Sequence, residues 1–425
     1  MGFDRDRPIW LVQGLRTPFL RIDNTFAKYD SLSLSVPVAR AMGAQATGPI
    51  DFGVWGSVIL NLAYANLARE VWIDAGLDLR VPTYTTIMQC CTSMVGVFQV
   101  AGMLAAGNHH LAISGGVESM SRIQVGLGQN LSDWLRHFGQ AKTLGQRLGM
   151  FAKLKPSDIR LYVPEIKNRA TGKSMGEHCE DMAKDWNISR EDQDALTLKS
   201  HQNAVAGQER GFFDSLVAPL DGVTRDGFPR RDTSMEKLAK LAPVFDRKSG
   251  KGTLTAGNSS PLTDGAAGIW IATDEGLGRL PPDLPRARLV DFEMAAVNLF
   301  NEGLLMGPVT AIPRILARQG LKYEDIALWE IHEAFAAQVL CNVKGLEDAA
   351  FVKEKAGVEH NFGPFPRERI NPNGGSVAIG HPFAATGARI LSQAIKELSV
   401  LPKGSRAIVS ICADGGEATV VLLEN

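Results

Sequence analysis

Cysteine is scarce in this chain of 425 residues, which has five cysteines in all. They are Cys90, Cys91, Cys179, Cys341 and Cys412. Their number is odd and no two of them have the CxxC spacing, so the sequence predicts neither a disulfide scaffold nor a cysteine-based metal site. We expect a reduced protein.

The sequence also lacks an excess of charge of either sign, with 45 Lys and Arg against 46 Asp and Glu and a formal net charge of -1. No global field attracts nucleic acid, so no nucleic-acid partner is expected. A long hydrophobic run is missing too. The longest uncharged stretch, residues 81–108, mixes Thr, Gln, Cys and Ser with apolar residues, which favours a buried strand and helix over a membrane span. With a charged start and no hydrophobic leader, this predicts a cytoplasmic location.

Short apolar runs alternate with helical patterns in the first 120 residues. Strands are predicted at 9–12, 54–60, 84–88 and 110–114, the last ended by Gly115-Gly116, and helices at 34–42, 62–75 and 93–106. After residue 285 the alternation returns, with strands at 287–292, 327–331 and 407–411 and helices at 309–319, 334–346 and 386–398. Such alternation predicts an α/β fold with a helix-covered sheet.

Residues 122–173 differ from both of these regions. They contain ten Lys or Arg and three Asp or Glu, and apolar residues recur at helical spacing between Leu131 and Leu154. We predict a basic, amphipathic helical insertion, followed by two surface helices at 175–185 and 190–209.

Two segments of the chain have similar sequences. Residues 112–118 resemble residues 410–417, each an apolar stretch followed by Gly-Gly and Glu. We interpret the chain as a duplicated α/β unit with one long insertion.

Cys91 is the sharpest candidate for chemistry, because it lies where a predicted strand gives way to a helix. The free N–H groups and positive dipole end of a helix N-terminus stabilise a thiolate and an oxyanion. A cysteine in an apolar run is more often a small buried hydrophobe, and its neighbour Cys90 leaves the choice between the two open.

Three further candidates lie at predicted strand ends or in glycine-rich loops. His381 closes the loop from Asn373 to Pro382 and is placed to accept a proton from a thiol, although a lone loop histidine is more often surface decoration. Cys412 ends a strand ahead of Gly415-Gly416, and His332 stands at a strand-to-helix junction. Two thiols and two imidazoles at sheet ends indicate acyl transfer.

These residues belong to motifs that resemble the thiolase family over nearly the whole chain. The motifs are Arg16-Thr17-Pro18-Phe19, Cys91-Thr92-Ser93, 115–121, Met175-Gly176, 257–260 with 264–267, 332–336, Gly374-Gly375, Gly380-His381-Pro382 and Cys412 with Gly415-Gly416. His332, where many short-chain members have Asn, and the basic stretch 141–148 resemble the β-subunit of trifunctional-type fatty-acid oxidation complexes.

The resemblance implies the fold and its division into domains. Expected are duplicated βαβαβαββ halves that form a five-layer α-β-α-β-α body with a helical loop-domain insertion. The N-terminal half would comprise residues 1–121 plus 250–280, the loop domain 122–249, and the C-terminal half 281–425.

It also implies CoA-dependent cleavage of 3-ketoacyl-CoA in fatty-acid β-oxidation, with coenzyme A as co-substrate and no permanently bound cofactor or metal. Cys91 would be the nucleophile, Cys412 the acid/base thiol, and His381 the base and an oxyanion-hole donor. His332 would hold an oxyanion-hole water, and the backbone of Gly416 would donate to a second oxyanion. The residues expected to contact CoA are Ser260, Met175 and Phe335.

Two departures from the family pattern and several alternatives remain. Asp414 replaces a small residue near Cys412, and its carboxylate is expected to raise the pKa of that thiol; Met94 replaces a usual glycine. The alternatives are a biosynthetic acetoacetyl-CoA thiolase, another condensing enzyme of the same fold, and a CoA- or lipid-binding relative. Expected partners are a second copy of the chain, as a homodimer or homotetramer, and an α-subunit of an oxidation complex. A helical lid over CoA is the plainer interpretation of residues 122–173, and a peripheral membrane or partner-subunit surface is the other.

Overall fold

The computed structural model describes residues 7–425, so the charged start on which the cytoplasmic expectation relies lies largely outside the described residues. The strands are β1 (Trp10–Val12), β2 (Leu20–Arg21), β3 (Phe52–Gly56), β4 (Thr83–Tyr84), β5 (Leu111–Glu118), β6 (Gly126–Leu127), β7 (Leu161–Tyr162), β8 (Thr263–Ala272), β9 (Arg286–Ala296), β10 (Leu328–Ile331), β11 (Arg406–Ala413) and β12 (Glu417–Glu424).

The helices are α1 (Ser31–Gln45), α2 (Leu67–Asp74), α3 (Thr92–Ala105), α4 (Gln129–Gln140), α5 (Leu144–Phe151), α6 (Met175–Asp185), α7 (Arg190–Glu209), α8 (Met235–Ala239), α9 (Asp274–Leu277), α10 (Gly307–Gln319), α11 (Ala336–Glu347), α12 (Ala349–Ala356), α13 (Ser376–Ile379) and α14 (Thr386–Leu398). In the described part of the chain, no helix combines the length and the apolar character needed to cross a membrane.

Strand pairing reveals the duplication directly. The large sheet has the order β10-β11-β12-β9-β1-β8-β5-β3-β4, with β2 added beside β8. In the N-terminal part β3 is parallel to β5, β5 is antiparallel to β8, and β8 is antiparallel to β1. In the C-terminal part β10, β11, β12 and β9 repeat that order and those directions. The two repeats meet where β1 pairs antiparallel with β9.

The repeats differ at one strand. The N-terminal repeat reads βαβαβαββ through β1, β3, β4, β5 and β8, but the strand that would correspond to β4 is reduced to a single bridge between Trp329 and Ile370. Pro372 follows closely and has no N–H to extend the pairing. The duplicated fold is confirmed, with this one strand shortened in the second half.

Helices form three layers around the two parts of the sheet. α3 and α14 pack against each other, α3 against β5 and α14 against β11, and so form the central layer. α1 and α2 cover the N-terminal part, α10 covers the C-terminal part, and α12 packs against α10 and α11. Three separate buried apolar clusters fill the spaces between these layers and the sheet. The expected five-layer body is therefore confirmed, and we propose the domain division given above on the same pairing, because β8 returns to the N-terminal sheet after the insertion.

The expectation that Gly115-Gly116 ends a strand is wrong. β5 continues through both glycines to Glu118 and is buried along its whole length. A Cβ at Gly115 would lie 2.2 Å from the Trp55 ring, and one at Gly116 would lie 2.1 Å from the carbonyl oxygen of Ala384. These glycines therefore permit close packing inside the sheet rather than a turn.

The insertion is helical, as expected. It contains α4, α5 and the two-stranded ribbon of β6 and β7. Trp134, Phe138 and Phe151 hold the two helices together, with ring centroids 5.0 to 5.3 Å apart. Leu144 and Leu148 remain 74% and 60% exposed, which leaves an apolar edge on the helical hairpin formed by α4 and α5.

Candidate active site

The thiol of Cys90 lies at a strained turn that precedes α3. Residues Gln89–Cys91 form one turn of 3-10 helix, and Gln89 has a positive φ of 43°. A non-glycine residue in this region of backbone space is held there at a cost of about 1–3 kcal/mol, and such strain is concentrated at functional sites. Burial, followed by the charges of nearby thiols and Asp414, raises the pKa of Cys90, so this group rests as a thiol.

His381 is the hydrogen-bond partner of Cys90. Its Nε2 lies 3.2 Å from the Cys90 Sγ, and its Nδ1 lies 2.6 Å from the Oγ1 of Thr386. The Thr386 hydroxyl donates its own hydrogen to the carbonyl of Pro382, so Nδ1 is the donor to Thr386. Burial and, secondarily, the charge of Arg389 lower the pKa of His381 to about 3. The imidazole is thus neutral, with the lone pair of Nε2 directed at the Cys90 thiol.

The geometry does not support the role expected for Cys91. Its side chain is fully buried, and its Sγ donates to the carbonyl of Ile411 at 3.6 Å. Its amide donates to the carbonyl of Met88 at 2.9 Å, and burial raises its pKa to about 12. Adjacent residues in a helical turn point in different directions, so only one of two neighbouring cysteines faces His381, and that one is Cys90.

Cys412 lies at the end of β11 and lines the same cavity as Cys90 and His381. Burial and, after it, the neighbouring Cys91 raise its pKa, so Cys412 also rests as a thiol. The cavity wall formed by the described residues continues to Ala413 and Asp414 but does not include Gly416. The carbonyl of Gly416 accepts a hydrogen bond from Val297. The donor role expected for the Gly416 N–H stays a prediction, and the residue does not line this cavity.

Asp414 is hydrogen-bonded to a residue of the loop domain. One of its carboxylate oxygens accepts hydrogen bonds from the Asn168 side chain and from the Gly415 amide, both at 2.7 Å. Its charge helps to raise the pKa of Cys90. Asp414 therefore acts on a different thiol from the expected Cys412.

His332 lies beside His381, with ring centroids 4.2 Å apart. Its backbone amide donates to Ser410, and its Nδ1 lies 2.8 Å from the hydroxyl of Ser376. Its Nε2 is buried and has no hydrogen-bond partner among residues 7–425. Burial, then His381 and Arg389, lower the pKa of His332 well below its usual range, so this ring is neutral too.

The cavity in front of these groups has a volume of about 990 Å³. Ser260, Met175 and Phe335, the residues expected to contact CoA, all line it. Much of the remaining wall is apolar. The exposed part of the lining carries three cations, Arg21, Lys167 and Arg230, and one anion, Glu165, which pairs with Lys167. A long, mostly apolar cavity with cations on its exposed side suits a ligand with an apolar arm and an anionic end.

Sequence reasoning missed the residues that orient the imidazoles. Thr386, Ser376 and Arg389 carry no motif of their own, and only their hydrogen bonds identify them. Thr386 and Arg389 are three residues apart at the start of α14, a spacing that places both on one helix face, and that spacing was the one available signal.

Comparison with known proteins assigns the family. Residues 9–275 match the family model described as "Thiolase, N-terminal domain", and residues 284–425 match "Thiolase, C-terminal domain". A 3-ketoacyl-CoA thiolase of Yersinia enterocolitica is 36% identical over 425 residues, covering 98% of this chain and 96% of the relative. One of Klebsiella pneumoniae has the same identity and coverage.

Solved structures agree. The Acat5 thiolase of Ascaris suum, crystallised with coenzyme A, has a TM-score of 0.79 at 26% identity and covers 98% of this chain and 100% of its own. An acetyl-CoA acetyltransferase of Bacillus anthracis has a TM-score of 0.78 at 28% identity, with 98% of both chains covered. With both halves of the sequence matched and relatives above 30% identity over nearly its full length, the chain belongs to the thiolase family.

Proposed function

We propose that this chain is a 3-ketoacyl-CoA thiolase, an acetyl-CoA C-acyltransferase that uses coenzyme A as co-substrate and needs no permanently bound cofactor. The observation that carries the proposal is the 3.2 Å contact between the Cys90 thiol and the unprotonated Nε2 of His381, in a cavity that also contains Cys412. The relatives named 3-ketoacyl-CoA thiolase support the same activity.

In the first half-reaction, His381 Nε2 takes the proton of Cys90, and the thiolate attacks the 3-keto carbon of the substrate. The bond between carbons two and three then breaks. The acyl chain stays on the Cys90 sulfur, and the electron pair passes to carbon two as the enolate of acetyl-CoA. Cys412 gives its proton to carbon two, so acetyl-CoA leaves and Cys412 becomes a thiolate.

In the second half-reaction, the Cys412 thiolate takes the proton of the CoA thiol. The CoA sulfur attacks the thioester carbon on Cys90, and the shortened acyl-CoA departs. The Cys90 thiolate recovers its proton from His381, which restores the starting state. Each step is reversible, so the same groups perform the Claisen condensation in the opposite direction.

Two oxyanions require stabilisation. We assign the enolate oxygen to His381, protonated at Nε2 once it has taken the thiol proton, together with His332 and the water it holds. The tetrahedral oxyanion is assigned to backbone N–H groups at Cys90 and in the turn after Cys412, in place of Cys91 and Gly416. One such donor typically contributes about 3 kcal/mol, or roughly 10²–10³ in rate.

CoA is proposed to occupy the cavity with its pantetheine arm along Met175, Phe335 and Ser260. Arg21 and Arg230 stand at the exposed part of the lining and are placed to meet the phosphates. Lys167 of the insertion also lines the cavity, where it pairs with Glu165, and we assign it to the same phosphates.

The test is CoA-dependent cleavage of short and long 3-ketoacyl-CoAs by wild type, Cys90→Ser and Cys91→Ser. We expect Cys90→Ser to lose at least about 10³-fold in kcat and to form no acyl-enzyme by mass spectrometry, because serine is a far weaker nucleophile here. Cys91→Ser is the matched control and should keep both the activity and the acyl-enzyme. A wild type without thiolysis, or an acyl group on Cys91, would contradict the proposal.

The proposed role is degradative, in β-oxidation, because of His332 and the basic insertion, and the proposed assembly is at least a homodimer. The free edge of the large sheet at β4 offers unpaired backbone groups for a second copy. Light scattering on the purified chain gives the assembly size, and the ratio of kcat/KM for cleavage and condensation tests the direction.

Residues 122–173 are proposed to contact an anionic membrane surface. Leu144 and Leu148 project from the α4–α5 hairpin, and Arg136, Lys142 and Arg147 lie on the same two helices or between them. Apolar and basic side chains together suit an interfacial position. Wild type should co-sediment with anionic vesicles, and a Leu144→Glu, Leu148→Glu double variant should not. Equal co-sedimentation of wild type and the double variant would contradict the membrane contact. If wild type binds only an added α-subunit and not vesicles, the apolar edge of the hairpin is assigned to that partner.

A further inference from the structure

His332 has a hydrogen-bonding nitrogen that the protein leaves unused. Its side chain is 1% exposed, its Nδ1 is engaged by Ser376, and its Nε2 has no partner among the described residues. A buried polar atom without a partner is costly, about 1–3 kcal/mol, so such an atom needs an explanation. The geometry around Nδ1 supplies one.

The hydrogen bond between Ser376 and His332 has a fixed direction. Arg389 Nη2 donates to the Ser376 hydroxyl oxygen at 2.7 Å, and a guanidinium group can only donate. The hydroxyl therefore receives from Arg389, and its own hydrogen needs an acceptor. If Nδ1–H also donated to this oxygen, the hydroxyl hydrogen of the fully buried Ser376 would be left unpaired. Nδ1 of His332, 2.8 Å away, is the acceptor for that hydrogen among the contacts of Ser376. In a neutral imidazole whose Nδ1 accepts, the ring hydrogen must be on Nε2.

We propose that Arg389, acting through Ser376, fixes His332 as the Nε2–H tautomer and so makes it a permanent hydrogen-bond donor beside Cys90 and His381. This proposal rests on the proposed function, because it gives that donor an oxygen of the substrate, or a water bound to it, as its partner. Arg389 and Ser376 are positioning residues that act through His332.

The two imidazoles of the site then have opposite tautomers, and one helix sets both. Thr386, at the start of α14, accepts from His381 and keeps the hydrogen of that ring on Nδ1. Arg389, one turn further along, keeps the hydrogen of His332 on Nε2 through Ser376. His381 therefore begins the reaction as an acceptor for a thiol proton, and His332 begins it as a donor. Exchanging the tautomers would disable both groups.

Arg389 is placed for this purpose rather than for an ion pair. Its side chain is 3% exposed, and it forms no salt bridge with another described residue. Its Nη1 donates to Gln393 at 3.3 Å, and the carboxyl of Glu330 contributes a favourable charge. A buried arginine without a directly bonded carboxylate is unusual, and donation to Ser376 at 2.7 Å is shorter than donation to Gln393.

The same tautomer weighs against a metal centre. The Cys90 sulfur and one ring nitrogen of each of His332 and His381 lie within 4.8 Å of one another, a separation that a metal ion could bridge. A ligating histidine must offer a lone pair. Nδ1 of His332 is taken by the Ser376 hydrogen and Nε2 carries the ring hydrogen, so His332 offers none without a change of tautomer.

The test reads the tautomer directly. Enzyme labelled with ¹⁵N-histidine is examined by long-range ¹H–¹⁵N correlation, and the His332 signals are assigned by their loss in His332→Asn. Wild type should show a protonated Nε2 and an unprotonated Nδ1. Ser376→Ala should populate both tautomers and lower the kcat of thiolysis by about 10- to 100-fold, with the KM for CoA within about twofold, because an oxyanion donor is lost part of the time. Ser376→Thr keeps a hydroxyl and should restore the wild-type pattern.

Three results would overturn the inference: a wild-type His332 protonated at Nδ1, a Ser376→Ala variant with unchanged spectrum and kcat, or a loss of kcat in that variant without a change of tautomer. The last result would assign Ser376 a structural role. Arg389→Met provides a second perturbation, and Ser376→Ala suffices if that variant does not fold. Absence of thiolysis in wild type would instead refute the proposed function, and the ¹⁵N spectrum would still decide the tautomer.

Discussion

Replacing Thr386 by valine tests how His381 is held ready to accept a proton. Valine has nearly the shape of threonine but cannot accept the hydrogen of Nδ1, which is 2.6 Å from Oγ1 in the native site. Both residues are buried, so Nδ1–H would be left unpaired at a cost of about 1–3 kcal/mol. The other tautomer avoids that cost by placing the hydrogen on Nε2, where it can donate to Cys90. The competent tautomer should therefore decrease about 5- to 150-fold.

We expect kcat/KM for thiolysis and the rate of Cys90 alkylation by iodoacetamide to fall together by that factor in Thr386→Val. Thr386→Ser is the matched control, because it retains the hydroxyl and should stay close to wild type. The reasoning is refuted if Thr386→Val and Thr386→Ser differ by less than twofold in both rates while both variants remain folded.

Two further predictions concern stability. Gly116→Ala would place a Cβ 2.1 Å from the Ala384 carbonyl oxygen, in the loop that follows His381, and should lower the free energy of unfolding by about 1–3 kcal/mol and reduce thiolysis. In α3, the Cβ of Gly102→Ala would meet no atom within 4 Å, so this variant should raise the free energy of unfolding by up to about 1 kcal/mol. Thermal unfolding compares the two variants, and equal shifts in their unfolding temperatures would contradict the packing argument. Because the folded pKa of His381 is about 3, below its ordinary value of 6.5, the unfolded chain binds a proton that the native chain excludes, and stability falls as pH decreases through that window. From pH 6.5 to 5 the loss from this one group is about 2 kcal/mol, so urea unfolding of His381→Asn should be less sensitive to pH between 7 and 5 than that of wild type.

Much of the fold could be predicted from local patterns. Helices α6, α7 and α14 begin and end at the predicted residues, since caps such as Ser189 and the apolar spacing are local signals. β8 and β12 were not predicted. β8 is rich in Gly and Ala and is buried throughout, and its place in the sheet depends on pairing with β5, far away in sequence. Such pairing leaves no periodic signal.

Most residues of the candidate site could be predicted from the sequence. His381, His332 and Cys412 come together as expected, because each stands at the end of a strand or in a glycine-rich loop. Which of the adjacent Cys90 and Cys91 faces His381 depends on the backbone conformation of the turn that begins at Gln89, and local sequence patterns do not report that conformation. Motif spacing favoured Cys91, whereas the contact with His381 favours Cys90.

The joint between β1 and β9 limits how this molecule can move. The pairing of Trp10, Leu11 and Val12 with β9 joins the two repeats into one continuous sheet, and α3 and α14 pack against each other in the central layer. Cys90 is supplied by one repeat and His381 by the other, so any hinge opening along this seam would pull the reacting pair apart. The continuous sheet and the packed central helices therefore favour substrate exchange through the cavity without separation of the two repeats.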